Sequence, residues 1–287
     1  MMQEKIKLTG DQSPVKKIQP VSGGDINQAY YVQTANHEYF VKTNQDVPAD
    51  FFQIEADGLE RIRNTETIAV PAVYHVDHDD ADQELALIME WVDGQPTEQT
   101  GKRLGEQLAA MHATDAGAQY GLDQRTYVGS LTQQNHWYDN WVDYYRDKRL
   151  RPQLDLGISN GRITGIRQTK LEYLLINLER FIPAKPRTSL LHGDLWGGNW
   201  LTGAHGQPYL IDPSVLYGDH LFELAFTELF GGFPAPFYQS YQSSFPLEDY
   251  YEDVKPLYQL FYLLVHLNLF GEAYGSSVDR ILDHYSV

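Results

Sequence analysis

One stretch constrains this chain more than any other: Leu190-Leu191-His192-Gly193-Asp194-Leu195-Trp196-Gly197-Gly198-Asn199-Trp200. Apolar residues run into a His-x-Asp, and an asparagine stands five positions after the aspartate. Two short apolar runs, Trp200–Leu201 and Tyr209–Ile211, then flank a Gly203…Gly206-Gln207-Pro208 turn, which is the pattern of a small hairpin. Asp212 stands at the end of the second run. Taken singly these residues say little, because Gly-Gly and Asp-Pro pairs are common turn chemistry. In this order they supply the groups that phosphoryl transfer requires. One carboxylate must orient an acceptor hydroxyl and receive its proton, while an amide and a second carboxylate hold Mg²⁺ against nucleotide phosphates. Oxygen ligands suit that hard cation. Asp194 is thus the candidate base, and Asn199 and Asp212 are the candidate metal ligands.

The upstream sequence carries matching parts. Ala29–Gln33 and Glu38–Thr43 are rich in aromatic and β-branched residues, with a turn near Asn36, and predict an antiparallel hairpin. Lys42 lies on its second strand. Over Phe51–Arg63 the period changes: Phe51, Ile54, Leu59 and Ile62 fall on one helical stripe, with Asp50 placed as N-cap. Glu55 sits near that stripe. Either residue alone reads as an ordinary exposed side chain. Together, in this order, they form the strand lysine and helix glutamate that position phosphates in a kinase small lobe. Before the first strand, Ser22-Gly23-Gly24-Asp25-Ile26-Asn27 contains two glycines that let backbone approach phosphates, so Gly23 and Gly24 are candidate nucleotide contacts. The backbone from Glu90 to Val92 is a candidate adenine edge.

The remaining organisation is a small β-rich part followed by a larger helical one. Val73–Val76 and Leu85–Val92 predict two more strands around the acidic turn Asp77–Asp82, and Asp93-Gly94-Gln95-Pro96 marks a break. The reading is α+β: a nucleotide-binding lobe over residues 1–93 and a catalytic, substrate-binding lobe over 94–287. Helices are expected over Thr100–Thr114, Trp137–Leu150, Lys170–Ile182 and most of Leu221–Tyr285.

Composition removes several classes of function. The net charge is −17, and the densest basic cluster, Lys148, Arg149 and Arg151, is diluted by Asp143, Asp147 and Asp155. Nucleic acid and anionic membrane are therefore not expected as partners. The chain has 0 cysteines, which rules out disulfides, thiol catalysis and cysteine-ligated zinc. His75 and His78 have no partner set for zinc. The polar segment Met1–Pro14 lacks the apolar core of a signal peptide, and Leu260–Phe270 is too short to span a bilayer, so a cytoplasmic protein is expected.

The spacing of Asp194 and Asn199 resembles the kinase catalytic loop, with Gly193 where protein kinases usually carry arginine. That variant is similar to the aminoglycoside phosphotransferase and choline kinase group. Within it the chain resembles the fructosamine kinase (ketosamine 3-kinase) family. Three stretches carry the resemblance: Gly23-Gly24-Asp25-Ile26-Asn27-Gln28-Ala29-Tyr30, His192 to Asn199, and Asp212-Pro213-Ser214-Val215-Leu216-Tyr217-Gly218-Asp219. The resemblance implies a bilobal protein-kinase-like fold. It also implies ATP and Mg²⁺ as cofactors, and phosphorylation of the sugar 3-hydroxyl of a ketosamine or other glycated amine. The phosphorylated adduct then decomposes and frees the amine, a deglycation; microbial members often prefer ribulosamines and erythrulosamines. By motif position Asp194 is the base, Asn199 and Asp212 hold the metal, and Lys42 and Glu55 form the phosphate-positioning pair. The chain departs from the family in lacking the cysteine that links subunits under oxidation in some members. It also has no Ala-Pro-Glu and no room for a long activation segment before Asp219, which argues against phosphorylation of folded proteins by a protein-kinase mechanism and leaves free and protein-bound adducts both open.

Several other residues carry two readings. Trp196 and Asp219 are candidate substrate contacts, with core packing and helix capping as the plainer roles. Trp200 reads mainly as packing. Glu223 lies one helical turn from Asp219, so the two could share a groove. His192 is expected to brace the loop without ionising, and His266 to be a satisfied core histidine. A kinase of an aminoglycoside or amino alcohol, and a nucleotide-binding pseudoenzyme, stand as alternatives. The oligomeric state stays open.

Overall fold

The computed structural model describes residues 2–22, 26–77 and 84–285. Its first part comprises α1 (Met2–Lys7), β1 (Lys17–Pro20), β2 (Gln28–Gln33), β3 (Glu38–Asn44), α2 (Phe51–Arg63), β4 (Val73–Val76) and β5 (Leu85–Glu90). The strands form one antiparallel sheet in the order β1-β2-β3-β5-β4. The expected hairpin, helix and two further strands are present. Of the acidic turn, residues 78–82 lie outside the described residues, as do His78, Gly23 and Gly24.

Alternation along β3 decides the site. Tyr39 and Val41 face a small core with Val32, Ile88 and Ile6 of α1. Phe40 and Lys42 therefore point to the opposite face, where α2 packs. Helix α1 and strand β1 have no strong periodicity in sequence. They are held by tertiary contacts, including Lys5 Nζ to Asp77 Oδ2 at 2.9 Å and Thr34 Oγ1 to Asp11 Oδ2 at 2.7 Å. Asp50 occupies the N-cap position of α2, but its side chain makes no capping bond. Its Oδ2 instead accepts from both Nη2 and Nε of Arg125, at 2.6 and 2.9 Å.

The second part is mainly helical. It runs α3 (Thr100–Ala113), a short hairpin β6 (Thr126–Val128) and β7 (Leu131–Gln133), then α4 (Trp141–Tyr144), which continues through a π-helical turn, Tyr145–Leu150, into α5 (Arg151–Ser159). There follow α6 (Gly165–Ile176), β8 (Thr188–Leu191), β9 (Trp200–Thr202), β10 (Pro208–Leu210), β11 (Leu216–Asp219), α7 (His220–Leu229), α8 (Ala235–Ser244), α9 (Tyr251–Phe270) and α10 (Gly275–Tyr285). Residues 137–140 are not helical as expected, because Asn140 caps α4 by accepting from Val142 N at 2.9 Å. Helix α6 begins five residues earlier than its apolar pattern and ends at Ile176, before a short 3₁₀ turn. The hairpin β9–β10 forms as expected, whereas the pairing of β8 with β11 joins segments too distant for local patterning to reveal. Helix α9 is the spine of this part, with Leu257, Tyr258, Leu260, Tyr262, Leu264 and Leu267 at 0% exposure. Among the described residues no helix is long and apolar enough to cross a membrane.

Candidate active site

Two cross-stitched loops present the candidate residues. The first, 192–199, joins β8 to β9; the second, 211–215, joins β10 to β11. Ile211 N donates to Asn199 O at 3.0 Å, and Ser214 N donates to His192 O at 2.8 Å. His192 Nε2 donates to Ile211 O at 2.8 Å, and Asp194 N donates to His192 Nδ1 at 3.3 Å. Burial holds the His192 imidazole below its ordinary pKa, so it stays neutral and braces both loops. Gly193 has φ +84°, and a Cβ there would come within 1.9 Å of Ser214 O. No other residue fits, which accounts for glycine at this position.

Asn199 turns its amide nitrogen toward Asp194, donating to its O at 2.7 Å and its Oδ2 at 3.2 Å. The Asn199 carbonyl oxygen is left to face other ligands. Burial, and then the Asp212 charge, push the Asp194 carboxyl well above the ordinary range. Asp212 adopts a left-handed backbone, φ +55°, a conformation costly outside glycine and typical of functional positions. Lys42 Nζ donates to Glu55 Oε1 at 2.7 Å and also to Asp212 Oδ1, so strand, helix and loop meet on one ammonium. Burial opposes the Lys42 charge, but Asp212 and Glu55 outweigh it and hold its pKa above the ordinary lysine value. Burial raises Glu55 to about 7 despite Lys42. Asp212 ends below its usual range, because Lys42 overcomes its burial.

These groups line one open cleft of about 600 Å³, solvent-facing space included, together with Asn27, Phe51, Tyr127 and Gly129. Glu90 and Val92 are not among its lining residues, and the Glu90 carboxylate is engaged with Ala72 N at 3.1 Å. Trp196 is 43% exposed, with its ring against Gly198. Trp200 packs toward Phe233 at 6.2 Å.

Asp219 requires correction as a substrate contact. It is 0% exposed, caps α7 by accepting from Leu221 N at 3.0 Å, and accepts from Tyr258 OH at 2.7 Å. Burial raises its carboxyl from 3.8 to about 7 against those two bonds. A carboxyl raised on folding stabilises most fully below its unfolded pKa, and that contribution is lost as pH rises through about 7. Asp219→Asn should therefore gain on the wild type as pH rises from 5.5 to 7.5, by at most about 1.4 kcal/mol per unit. Denaturant unfolding at both pH values checks this; parallel pH dependences would contradict it.

The structure gives Glu223 a role beyond its expected neighbourhood with Asp219 and adds His112, Tyr241 and Tyr262, which the sequence did not single out. Glu223, 0% exposed, accepts from Gly193 N at 2.6 Å through Oε2 and meets His112 Nε2 at 2.8 Å through Oε1. Tyr241 OH meets His112 Nδ1 at 2.7 Å, and Tyr262 OH donates to Gly193 O at 3.0 Å. Both peptide groups of Gly193, next to Asp194, are thus gripped from α7 and α9. The i, i+4 relation of Asp219 and Glu223 was readable in sequence; the inward aim of Glu223 and the parts played by His112 and Tyr262 were not.

Comparison with known proteins agrees with this geometry. The sequence model of the fructosamine kinase family matches residues 1–286. A probable ketoamine kinase of Enterococcus faecium is 38% identical over 281 residues, covering 98% of this chain and 97% of the relative. One of Lactiplantibacillus plantarum is 40% identical over 275 residues, covering 94% and 95%. A crystal structure from Thermobifida fusca, provisionally named a fructosamine-3-kinase, superposes with TM-score 0.85 at 30% identity, covering 97% of this chain and 96% of that one. Aminoglycoside phosphotransferase APH(4)-Ia, in a ternary complex with AMP-PNP and hygromycin B, superposes with TM-score 0.64 at 17% identity, covering 100% and 99%. At that identity the likeness is one of fold, which is α+β and protein-kinase-like as the sequence led us to expect. The chain belongs to the fructosamine kinase family and is a phosphotransferase acting on a hydroxyl group.

Proposed function

We propose that the chain transfers the γ-phosphoryl group of ATP to the sugar 3-hydroxyl of a ketosamine, with residues 1–93 as the nucleotide-binding lobe and 94–287 as the catalytic lobe. The observation that carries this reading is the meeting of Lys42, Glu55 and Asp212 in the same cleft as Asp194 and Asn199. Lys42, fixed by Glu55, contacts nucleotide phosphates; the backbone of Glu90–Val92 stays the proposed adenine edge although it lies outside the lining of the phosphate cleft. Asp194 orients the acceptor hydroxyl and takes its proton, a role that its raised pKa favours.

Among the described residues there is no group of three or more His, Cys, Asp or Glu placed for a metal. An oxygen pair fits Mg²⁺ all the same, since that ion usually binds one or two protein groups plus substrate phosphates and water. The Asn199 carbonyl oxygen and the Asp212 carboxylate are that pair. When bound, the ion neutralises phosphate charge. The phosphorylated ketosamine decomposes and releases its amine, so the activity is deglycation. The lack of cysteine fits a cytoplasmic setting.

The test is ATP consumption with Mg²⁺ against ribulosyl-lysine, fructosyl-lysine, an aminoglycoside and choline. We expect the largest kcat/KM on a ketosamine. Turnover confined to the aminoglycoside or choline would overturn the substrate reading while leaving the phosphotransferase chemistry.

A further inference from the structure

One face of α9 packs against residues that line or adjoin the cleft, without itself lining it. Tyr262, His266 and Leu269 recur at i, i+4 and i+7, so they share that face. Tyr262 OH holds Gly193 O at 3.0 Å, beside Asp194. Leu269 Cδ1 lies 3.3 Å from where a Cβ of Gly129 would stand. Asp194 and Gly129 both line the cleft. His266 sits between these two anchor points, on the same face.

Read from sequence as a satisfied core histidine, His266 proves only half satisfied. Its Nδ1 donates to Tyr262 O at 2.7 Å, which fixes the tautomer and leaves Nε2 as a lone-pair acceptor. Among the described residues Nε2 has no hydrogen-bond partner, and the side chain is partly exposed. Burial keeps the ring below its ordinary pKa and hence neutral. Phe230, Tyr274 and Phe270 surround it, with ring centroids at 4.7, 5.0 and 5.5 Å, and Phe230 and Phe270 are themselves 41% and 57% exposed. Phe230 is tied to the catalytic loop through the glycines that follow it: Gly232 Cα stands 3.0 Å from a Cβ position at Gly197. A fixed acceptor ringed by Phe230, Tyr274 and Phe270, two of them exposed, is built to receive a donor carried on an apolar stem.

Taking the ketosamine reading as its basis, we propose that His266 is a specificity-determining residue for the acceptor. Its Nε2 accepts a hydrogen bond from the amine-bearing part of the ketosamine, and the rings of Phe230 and Phe270 bound the carbon stem of that part. The contact is made in both ground and transition states, so its loss raises the acceptor KM more than it lowers kcat.

Steady-state kinetics of the full chain with ribulosyl-lysine and ATP test this. His266→Phe keeps an aromatic ring but removes the acceptor, and should raise the ribulosyl-lysine KM about tenfold, the order expected for one lost hydrogen bond. The ATP KM should stay within about twofold. His266→Gln, which returns an acceptor oxygen near the Nε2 position, should recover most of the loss. An unchanged acceptor KM in His266→Phe, a parallel rise in both KM values, or a Gln variant as impaired as Phe would each overturn the proposal alone. Absence of ketosamine turnover in the wild type would overturn the reading it rests on, and this proposal with it.

Discussion

Asp194→Asn lowers kcat by about 10²–10⁴ and leaves the affinity for Mg²⁺-ATP near that of the wild type. The substitution keeps the size of the side chain and an oxygen that can hold the acceptor hydroxyl, but removes the carboxylate proposed to take its proton. The Lys42–Glu55–Asp212 contact does not pass through Asp194, so nucleotide binding should survive. The pH dependence gives a second sign. Burial and Asp212 raise the Asp194 carboxyl, so the wild-type rate should climb with pH as that proton leaves. The residual rate of Asp194→Asn should lack that climb. Rapid-quench turnover and nucleotide titration measure the two halves. A variant with wild-type kcat would remove Asp194 from the chemistry.

Glu223→Ala destabilises the fold by about 2–5 kcal/mol, because it strands two buried partners that each cost about 1–3 kcal/mol unpaired. Gly193 N loses its acceptor, as does His112, and neither is reached by water in a site where Glu223 and His112 are both 0% exposed. Glu223→Gln keeps an acceptor for Gly193 N and should lose much less. Urea unfolding of both variants checks the ordering. A cost below about 0.5 kcal/mol for the alanine variant, the range of ordinary surface changes, would contradict the anchoring role.

Asp194 and Glu223 differ in how far local sequence encodes their contacts. Asp194, Asn199 and Asp212 were legible because phosphoryl transfer dictates residue types at short, ordered spacings around a hairpin with its own turn signal. Lys42 and Glu55 were legible because a period-2 strand passes into a helical stripe, which fixes their faces. Glu223 meets His112 on another helix, more than a hundred residues earlier in the chain, and Gly193 on the loop, so no local pattern encodes the contacts. Asp219 misled for a related reason: a capping aspartate and a groove aspartate look alike until Tyr258 is seen against it. Helix α1 and the β8–β11 ladder were missed because tertiary partners, rather than propensity, hold them.

The central claim, phosphoryl transfer from ATP to a ketosamine in the cleft of Lys42, Asp194 and Asp212, is tested most directly by the product. Ribulosyl-lysine incubated with the protein, ATP and Mg²⁺ can be followed by phosphorus and proton NMR. The account predicts ADP and a phosphate ester coupled to the proton on sugar carbon 3, in equal amounts. Free phosphate without an ester, or an ester at another carbon, would contradict it.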